Sequence, residues 1–492
     1  MWLTQLLERN RQCHPDRLAL VDERRRLTWT QFHDRVLELA RGLADLGIER
    51  GDRVAVLSRD RVEVLEAYFA LARLGALFVP LNHSLAVPEV AGIVERVGAV
   101  AVLGESELLD RHPGLPASVR IRMALDKPAF EALGTLAAER DLPEVADTDP
   151  IAVLHTSATT GQAKGVTVDG ASFRAIALGW LVMARPTGDI VMVNCCPLYH
   201  GSMVVSLTYL AAGATIVLMP GFTPQRALAA VEEHRATHMW LVPQMLRFML
   251  QAKGAGRTDL SSLREVLYGA APMPPDVYAD AVERLGCGFR QVYGMTEVGG
   301  PFVTLGPDEH PAPGDVTARI PCGRVVPGMS ARAVDGTGRE LPRGEIGEIV
   351  VRGPGVMQGY WNDPEATREI TLDGWIKTGD LGFVDEAGRI HLVDRTKDVI
   401  IRAGQNVYPS EIERALVSHP AVRDAAVVGM PDEDYGEVPL AYVVAEPDTR
   451  ATDLLAHVGQ QLAPYKRPRR VEFIEQVPRN PAGKIVKKLL RA

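Results

Sequence analysis

The chain has 492 residues, of which 46% are hydrophobic and 24% charged, a composition typical of globular proteins and too apolar for a disordered one. Its formal net charge of -8, from 54 basic and 62 acidic residues, provides no basic surface and argues against nucleic acid as a partner. More than one domain is expected, because a single hydrophobic core stops growing near ~250–300 residues.

Cysteine usage and hydropathy indicate the compartment. Five cysteines occur without a C-x-x-C pair or a histidine cluster at metal-ligand spacing, so reduced thiols are expected. Glu8, Arg9 and Arg11 interrupt the region where a secretory signal needs an apolar run. The most apolar stretch, 203–219, is short for a membrane span and is predicted to be a core helix followed by a strand. We therefore predict a cytoplasmic protein without a membrane span.

The N-terminal part alternates helical patterns with short β-branched runs. In chain order we predict a helix over 38–47, a strand over 53–57, a helix over 62–74, a strand over 76–80 and a strand over 151–154. The alternation recurs over 189–242 and over 263–293. Strands and helices in this order predict βαβ units and a largely parallel sheet.

The pattern of predicted elements changes beyond residue 320. Short strands between Gly and Pro turns, such as 347–353, predict a small β-rich subdomain. Beyond it a compact α+β pattern is predicted, with a helix over 410–418, strands over 422–428 and 439–444, and a helix over 453–462. We predict an α/β protein with a large multi-subdomain N-terminal body, 1–394, and a smaller mobile α+β C-terminal domain, 395–492. The hinge is placed near 394–397.

The segment Thr156-Ser-Ala-Thr-Thr-Gly-Gln-Ala-Lys-Gly165 directly follows the predicted strand 151–154. Glycines let backbone N–H groups approach anionic oxygens, hydroxyls donate further hydrogen bonds, and Lys164 adds a positive charge. The pattern predicts a polyphosphate-binding loop, although it lacks the G-x-x-x-x-G-K-[ST] spacing of the P-loop. A surface turn rich in Ser and Thr is the alternative.

Further motifs follow this loop in a fixed order: Tyr293-Gly-Met-Thr-Glu297, Lys377-Thr-Gly-Asp-Leu381, 394–413 and 478–485. With them the sequence resembles the adenylate-forming superfamily of acyl-CoA synthetases, carrier-protein adenylation domains and firefly-type luciferases over almost its whole length. Several motifs in one order are far more specific than any one of them. Ala158 stands where the family usually has Gly or Ser, and Ala is small enough to leave the loop workable.

The resemblance implies ATP- or AMP-binding roles for Thr156, Ser157, Thr159, Thr160, Lys164, Gly269, Ala270, Ala271, Tyr293, Gly294, Asp380 and Arg395. The loop residues close over the β- and γ-phosphates, Tyr293 stacks beside adenine, and Asp380 with Arg395 reaches the ribose. Thr296 is implied to contact the α-phosphate. Glu297 is implied to be the Mg²⁺ ligand, since that ion prefers carboxylate oxygens. Outside the family, a Tyr-Gly pair or a turn Asp is an ordinary structural residue.

The same resemblance implies that Thr296 and Glu297 are catalytic, and it adds two further catalytic residues. Lys484 stabilises the charge that develops when a carboxylate attacks the α-phosphorus. His200 gates the passage between the acyl pocket and the thiol tunnel. A Ser–His hydrolase using Ser202 is the rival chemistry, but no G-x-S-x-G elbow supports it, and a core histidine is the more ordinary alternative.

The family pivot falls on Lys397, so the C-terminal domain is expected to close in two orientations. One presents Lys484, and the other brings Arg402, Ala403 and Gly404 to coenzyme A. Outside these motifs, the basic residues near the C-terminus, Lys487, Lys488 and Arg491, are expected to be solvated charges.

The acyl pocket is implied at Tyr199, Trp240, Gly269, Gly299 and Gly300. These positions hold no Arg or Lys for a second carboxylate and no Asp for an amino group. We therefore predict an ATP- and Mg²⁺-dependent ligase that converts a hydrophobic or aromatic carboxylic acid to acyl-AMP, releases pyrophosphate, and transfers the acyl group to coenzyme A.

Alternatives stay open. An acyl-AMP ligase that loads a phosphopantetheinyl carrier protein shares every motif, and a luciferase-type oxidation would need a special substrate. A non-catalytic ATP-binding relative would be expected to have lost some of the residues Lys164, Glu297, Asp380, Arg395 and Lys484, which are all present. The acid, the pathway and the oligomeric state stay undetermined, with a homodimer as one possibility.

Overall fold

The computed structural model describes residues 1–135, 141–156, 163–186, 189–199, 201–313, 320–479 and 485–490. The chain divides into two compact units. The first contains residues 1–330 and 352–371, and the second contains residues 331–351 and 372–492. Among the described residues, no helix combines the length and the apolar character needed to cross a bilayer.

The helices are α1 Trp2–Cys13, α2 Trp29–Asp45, α3 Val62–Leu74, α4 Val87–Val97, α5 Ser106–Arg111, α6 Pro128–Glu131, α7 Gly170–Ala184, α8 Ser202–Ala211, α9 Pro224–His234, α10 Pro243–Gln251, α11 Pro275–Leu285, α12 Pro364–Ile370, α13 Pro409–Val417 and α14 Ala451–Gln461. The strands are β1 Leu18–Val21, β2 Arg26–Thr28, β3 Arg53–Leu57, β4 Leu77–Leu81, β5 Ala101–Gly104, β6 Ile121–Ala124, β7 Pro150–His155, β8 Gly165–Asp169, β9 Val191–Asn194, β10 Thr215–Leu218, β11 His238–Leu241, β12 Glu265–Gly269, β13 Gly288–Met295, β14 Gly300–Leu305, β15 Arg324–Val325, β16 Ser330–Val334, β17 Gly347–Arg352, β18 Gly359–Tyr360, β19 Thr371–Leu372, β20 Trp375–Val384, β21 Ile390–Arg395, β22 Ile400–Arg402, β23 Gln405–Val407, β24 Val422–Asp432, β25 Gly436–Ala445 and β26 Arg470–Phe473.

The larger sheet of the first unit has, among the described residues, nine strands in the order β15-β14-β13-β12-β11-β9-β10-β1-β2. Its interior pairs are parallel, and antiparallel pairs occur only toward the edges of this described sheet. The apolar stretch 203–219 is confirmed as α8 followed by β10. The parallel neighbours β12 and β13 end at the same edge of the sheet, where ligands bind in α/β folds.

The other sheet of the first unit has the order β18-β8-β7-β4-β3-β5-β6 among the described residues. The predicted strand over 53–57 and helix over 62–74 are confirmed to the residue as β3 and α3. The helix ends there because Gly75 takes a left-handed φ of 79°. In this sheet β7 and β8 form an antiparallel hairpin, and β18 pairs with β8 from far along the chain. The hairpin connection is the candidate phosphate loop.

The second unit contains most of two smaller sheets. One has the order β16-β17-β20-β19 with β21 on β20, and the other has the order β23-β22-β25-β24 with β26 on β25. Helices α13 and α14 pack on the latter through a buried cluster that includes Leu416, Leu454 and Val458. The predicted β-rich and α+β patterns are both confirmed, and so is the α/β fold class with a smaller C-terminal part. The domain boundary at 394 stays a prediction; residues 396–398 form a 3-10 turn between β21 and β22.

Candidate active site

The two ends of the candidate phosphate loop are held together. Thr156 donates its backbone N–H to the carbonyl of Lys164 at 3.1 Å, and its hydroxyl accepts the backbone N–H of Lys164 at 3.3 Å. These bonds continue the β7–β8 ladder and close the loop at its base. Ser157, Thr159 and Thr160 lie outside the described residues. The described ends support a closed loop between two paired strands.

The side chain of Lys164 is 39% exposed, and among the described residues two side chains lie near its ammonium. Its ammonium Nζ lies 4.9 Å from the ring centroid of Tyr360 and 3.9 Å from Oε2 of Glu369. An exposed ion pair of this kind contributes only about 0–1 kcal/mol. A phosphate that bound Lys164 in place of Glu369 would therefore cost little interaction free energy. The cation–π contact with the Tyr360 ring could remain.

Tyr360 also contacts Glu297, so it bridges two of the residues that the sequence singles out. Its hydroxyl donates a hydrogen bond to Oε1 of Glu297 at 2.8 Å. Both residues are 9% exposed. Burial, followed by the negative charge of Glu297, raises the pKa of the Tyr360 hydroxyl far above its usual range, which keeps it a donor. Met357 donates its backbone N–H to the backbone carbonyl of Glu297 at 2.9 Å, so the main chain of this residue is held as well as its carboxylate.

The glycines beside β13 allow the backbone to pack closely. A side chain at Gly269 would collide with the carbonyl oxygen of Val292, its partner in β13, and one at Gly294 would collide with the backbone of Gly300. Ala270 takes a left-handed φ of 65°, so the chain turns sharply as it leaves β12. The segments 269–271 and 293–294 are thus brought together at one sheet edge, and Thr296 follows in a 3-10 turn.

The predicted acyl-pocket residues fall into smaller groups. A Cβ atom added to Gly269 would lie 3.3 Å from the Trp240 ring. A Cβ atom added to Gly300 would lie 2.8 Å from the side chain of Val204. Gly299 turns with a φ of 64°. Tyr199 packs edge-on against His83, with 5.6 Å between the ring centroids. His200 lies outside the described residues.

Asp60 is a buried residue of this region that the sequence did not single out. Its carboxyl accepts the backbone N–H of Leu198 at 2.9 Å, directly before Tyr199, and it is 6% exposed. Burial raises the pKa of Asp60 to about 8, and Cys196 and Tyr199 lie nearby. A charged residue between a strand and a helix usually faces solvent, so the sequence carries no signal for this role.

Asp60→Asn is expected to stabilise the protein most at alkaline pH. The folded-state pKa near 8 exceeds the ordinary value of 3.8, so the folded chain keeps a proton that the unfolded chain releases in this window. Stability is therefore lost as pH rises from about 4 to about 8, by up to about 1.4 kcal/mol per pH unit. Asparagine does not titrate, and its carbonyl still accepts the Leu198 N–H.

The measurement is the melting temperature of both proteins at pH 5, 6.5 and 8. The gain of Asp60→Asn should grow with pH, while the exposed control Asp16→Asn should change the melting temperature equally at every pH. A gain from Asp60→Asn that is the same at all three values would contradict the assignment.

In the second unit the structure brings Asp380 and Arg395 together. They are direct register partners on β20 and β21, and the Arg395 Nε lies 3.5 Å from Oδ1 of Asp380. Lys397 follows in the 3-10 turn over 396–398. An aspartate paired with an arginine at adjacent strand positions offers acceptors and donors for a pair of hydroxyls.

The predicted coenzyme A segment is a tight hairpin turn. Ala403 and Gly404, with φ of 49° and 78°, connect β22 to β23. Arg402 donates to the carbonyl of Tyr465 at 2.8 Å, and its guanidinium lies 4.9 Å from the Tyr435 ring centroid. The turn is largely exposed, but the arginine is already engaged within the second unit.

Lys484 lies outside the described residues, but its sequence neighbours correct one expectation. Lys487 was expected to be a solvated charge, and that expectation is wrong. Its ammonium lies 2.8 Å from Oε1 of Glu413 on α13, and its side chain is only 12% exposed. Lys488 is exposed, as expected, and Arg491 lies outside the described residues.

Comparisons with known proteins identify the family. The family model "AMP-binding enzyme" matches residues 7–361, and "AMP-binding enzyme C-terminal domain" matches residues 411–484. The chain therefore belongs to the AMP-binding enzymes of the adenylate-forming superfamily. It is an acid–thiol ligase of the AMP-forming type, which uses ATP.

Similar proteins span nearly the whole chain. A fatty acid–[acyl-carrier-protein] ligase, ScoC, of Streptomyces coeruleorubidus is 37% identical over 99% of this chain and 96% of its own length. A feruloyl-CoA synthase of an Amycolatopsis species is 38% identical over 94% of this chain and 92% of its own length. The crystal structure of ATP-bound MatB from Rhodopseudomonas palustris is 31% identical, with a TM-score of 0.92 over 99% of this chain and 98% of that one.

Proposed function

We propose that this ligase converts a hydrophobic or aromatic monocarboxylic acid to acyl-AMP with release of pyrophosphate, and then transfers the acyl group to coenzyme A. The observation that carries the proposal is the bridge made by Tyr360 between Lys164 and Glu297. It joins a phosphate-binding cation to a fixed carboxylate at the base of a closed loop. Such a pair suits a polyphosphate with its counter-ion.

The nucleotide is assigned to residues along the chain as follows. The β- and γ-phosphates are bound by the loop residues Thr156, Ser157, Thr159, Thr160 and Lys164. Adenine is bordered by Gly269, Ala270, Ala271, Tyr293 and Gly294. The ribose is bound by Asp380 and Arg395. The close packing around Gly269 and Gly294 supports a narrow adenine slot. Thr296 donates its hydroxyl to the α-phosphate. The pairing of Asp380 with Arg395 supports their shared role.

Glu297 fits the role of Mg²⁺ ligand. It supplies a hard carboxylate oxygen, and its orientation is fixed by the Tyr360 hydroxyl. Bound there, the cation would neutralise charge on the phosphate oxygens as the acid attacks. Lys484 stabilises the same developing charge through its ammonium, and Lys397 is the proposed pivot between the two half-reactions.

For the acyl side we propose that Tyr199, Trp240, Gly269, Gly299 and Gly300 line the pocket, with His200 as its gate. The Trp240 ring beside Gly269 provides an apolar, flat surface. None of these positions carries a cation that could bind a second carboxylate. Relatives named for fatty acids and for ferulate support a monocarboxylic acid of this kind.

The thiol acceptor is proposed to be coenzyme A, with Arg402, Ala403 and Gly404 beside it. A carrier protein is the second candidate, because one of the similar ligases is named for an acyl-carrier protein. A homodimer also stays a prediction, which sedimentation velocity would test.

The deciding experiment measures pyrophosphate release from ATP over a panel of fatty, aromatic, dicarboxylic and amino acids. Each reaction is run without thiol, with coenzyme A, and with a phosphopantetheinyl carrier protein. We expect the best catalytic efficiency with a hydrophobic or aromatic monocarboxylate, and thioester formation with coenzyme A. Best efficiency with dicarboxylates or free amino acids would refute the acid class, and thioester formed only on the carrier protein would refute the acceptor.

A further inference from the structure

The described residues on the two sides of the segment that contains Lys484 pair with each other and form a short stem. Arg479 and Ile485 form an antiparallel bridge, and Val486 donates its backbone N–H to the carbonyl of Pro478 at 2.8 Å. Five residues of the sequence, 480–484, lie between the bridged positions. Lys484 is therefore one residue from the stem, so the placement of the stem limits where its ammonium can reach.

Among the described residues, two ion pairs hold this stem, one on each side of it. Arg479 donates to both carboxylate oxygens of Asp424 on β24, at 3.0 and 2.8 Å. On the returning side, Lys487 begins a 3-10 turn over 487–490 and pairs with Oε1 of Glu413 at 2.8 Å. The first pair is about a third exposed, while the side chains of the second are only 12% and 18% exposed. The less exposed pair, Glu413 with Lys487, is the tighter constraint, because less water competes for its partners.

Glu413 is itself fixed from a third direction. The same oxygen that meets Lys487 also accepts the backbone N–H of Val427 on β24, at 2.8 Å. Helix α13, strand β24 and the 3-10 turn over 487–490 therefore meet at one carboxylate. Beyond the ion pair, Leu490 packs into an apolar cluster with Val428, Leu440 and Val477, so the segment stays docked without the charge.

We propose that Glu413 and Lys487 are positioning residues for the adenylation half-reaction: their largely buried ion pair fixes the stem from which Lys484 acts. This rests on the proposed function, in which Lys484 serves adenylate formation and not thioester formation. A merely structural pair would affect both half-reactions equally. A pair that sets the reach of Lys484 should affect only the first.

The test compares Glu413→Gln and Lys487→Gln with the matched control Lys488→Gln, whose side chain is exposed. Glutamine at 413 removes the charge and keeps an acceptor for the Val427 N–H. In full-length protein, pyrophosphate release with ATP and acid is measured separately from thioester formation with synthetic acyl-AMP and coenzyme A. We expect the two variants to lose about 10- to 100-fold in the first assay, since a misplaced catalytic group costs this much, and at most about 2-fold in the second.

A conservative variant at Lys487 tests whether adenylation is rescued when the positive charge is kept. Lys487→Arg keeps the charge and should retain adenylation, and Lys488→Gln should match the wild type in both assays. Unchanged adenylation in Glu413→Gln and Lys487→Gln, or equal losses in both assays, would overturn the inference. If either variant does not fold, the other variant together with Lys487→Arg decides. Failure of the wild type to release pyrophosphate with any acid would instead count against the proposed function.

Discussion

Lys484→Ala is expected to abolish adenylate formation while leaving thioester formation from preformed acyl-AMP largely intact. When a carboxylate attacks the α-phosphorus, two anions meet and negative charge spreads over the phosphoryl oxygens. A preorganised ammonium offsets this charge, and removing such a group costs on the order of 10²–10³-fold in rate. The thioester step starts from an already activated acyl phosphate, so it does not need the same cation.

Pyrophosphate release and thioester formation from synthetic acyl-AMP are the two measurements. Lys488→Ala is the matched control, because it removes a nearby exposed lysine of the same chain end. Equal losses in both half-reactions would refute the separate use of Lys484. A loss as large in Lys488→Ala would show that general positive charge, not one placed ammonium, is required.

Glu297→Gln is expected to lower adenylation by on the order of 10²-fold and to raise the Mg²⁺ concentration needed for half-maximal rate. Glutamine keeps the shape and an acceptor for the Tyr360 hydroxyl, but it lacks the negative charge that, in the proposed role, would hold a divalent cation. The variant therefore separates the charge of Glu297 from its hydrogen bond.

Tyr360→Phe provides the matching comparison. It removes the hydroxyl that orients Glu297 and keeps the aromatic face under Lys164. A smaller loss, about 10-fold, is expected, because the charge of Glu297 is kept and a hydrogen bond to a charged group contributes about 1.5 kcal/mol at the lower end of its usual range. The measurement is the adenylation rate as Mg²⁺ is titrated. A Glu297→Gln variant with the Mg²⁺ dependence of the wild type would contradict the assignment.

Periodicity predicted the regular elements well where local and tertiary preferences agree. Strand β3 and helix α3 match their predicted bounds because an apolar run, a buried helix pattern and a terminal glycine act together. The residues that the sequence missed are those defined by distant partners. Tyr360 meets Lys164 only because β18 pairs with β8, and a short Gly-Tyr strand gives no local sign of that pairing.

The surroundings of two charged residues were not predictable from the sequence, because their partners are also distant in the chain. Lys487 stands in a basic chain end, where a solvated side chain is the ordinary expectation, yet its partner Glu413 lies on a helix more than seventy positions earlier. Asp60 likewise meets Leu198 from another part of the chain. Local sequence shows which residues carry charge, but burial and pairing depend on contacts between segments that are far apart in the sequence.

The edge of the nine-stranded sheet has a consequence for synthesis of the chain. Strand β1 finds its parallel neighbour in β10, and the Thr215 hydroxyl bonds the Leu18 carbonyl across 197 positions. At ordinary translation speeds the ribosome needs on the order of 10–40 s to make the intervening residues. During that interval β1 can pair only with its neighbour β2, and the edge that β10 later covers stays unpaired, which exposes the nascent chain to association through that edge.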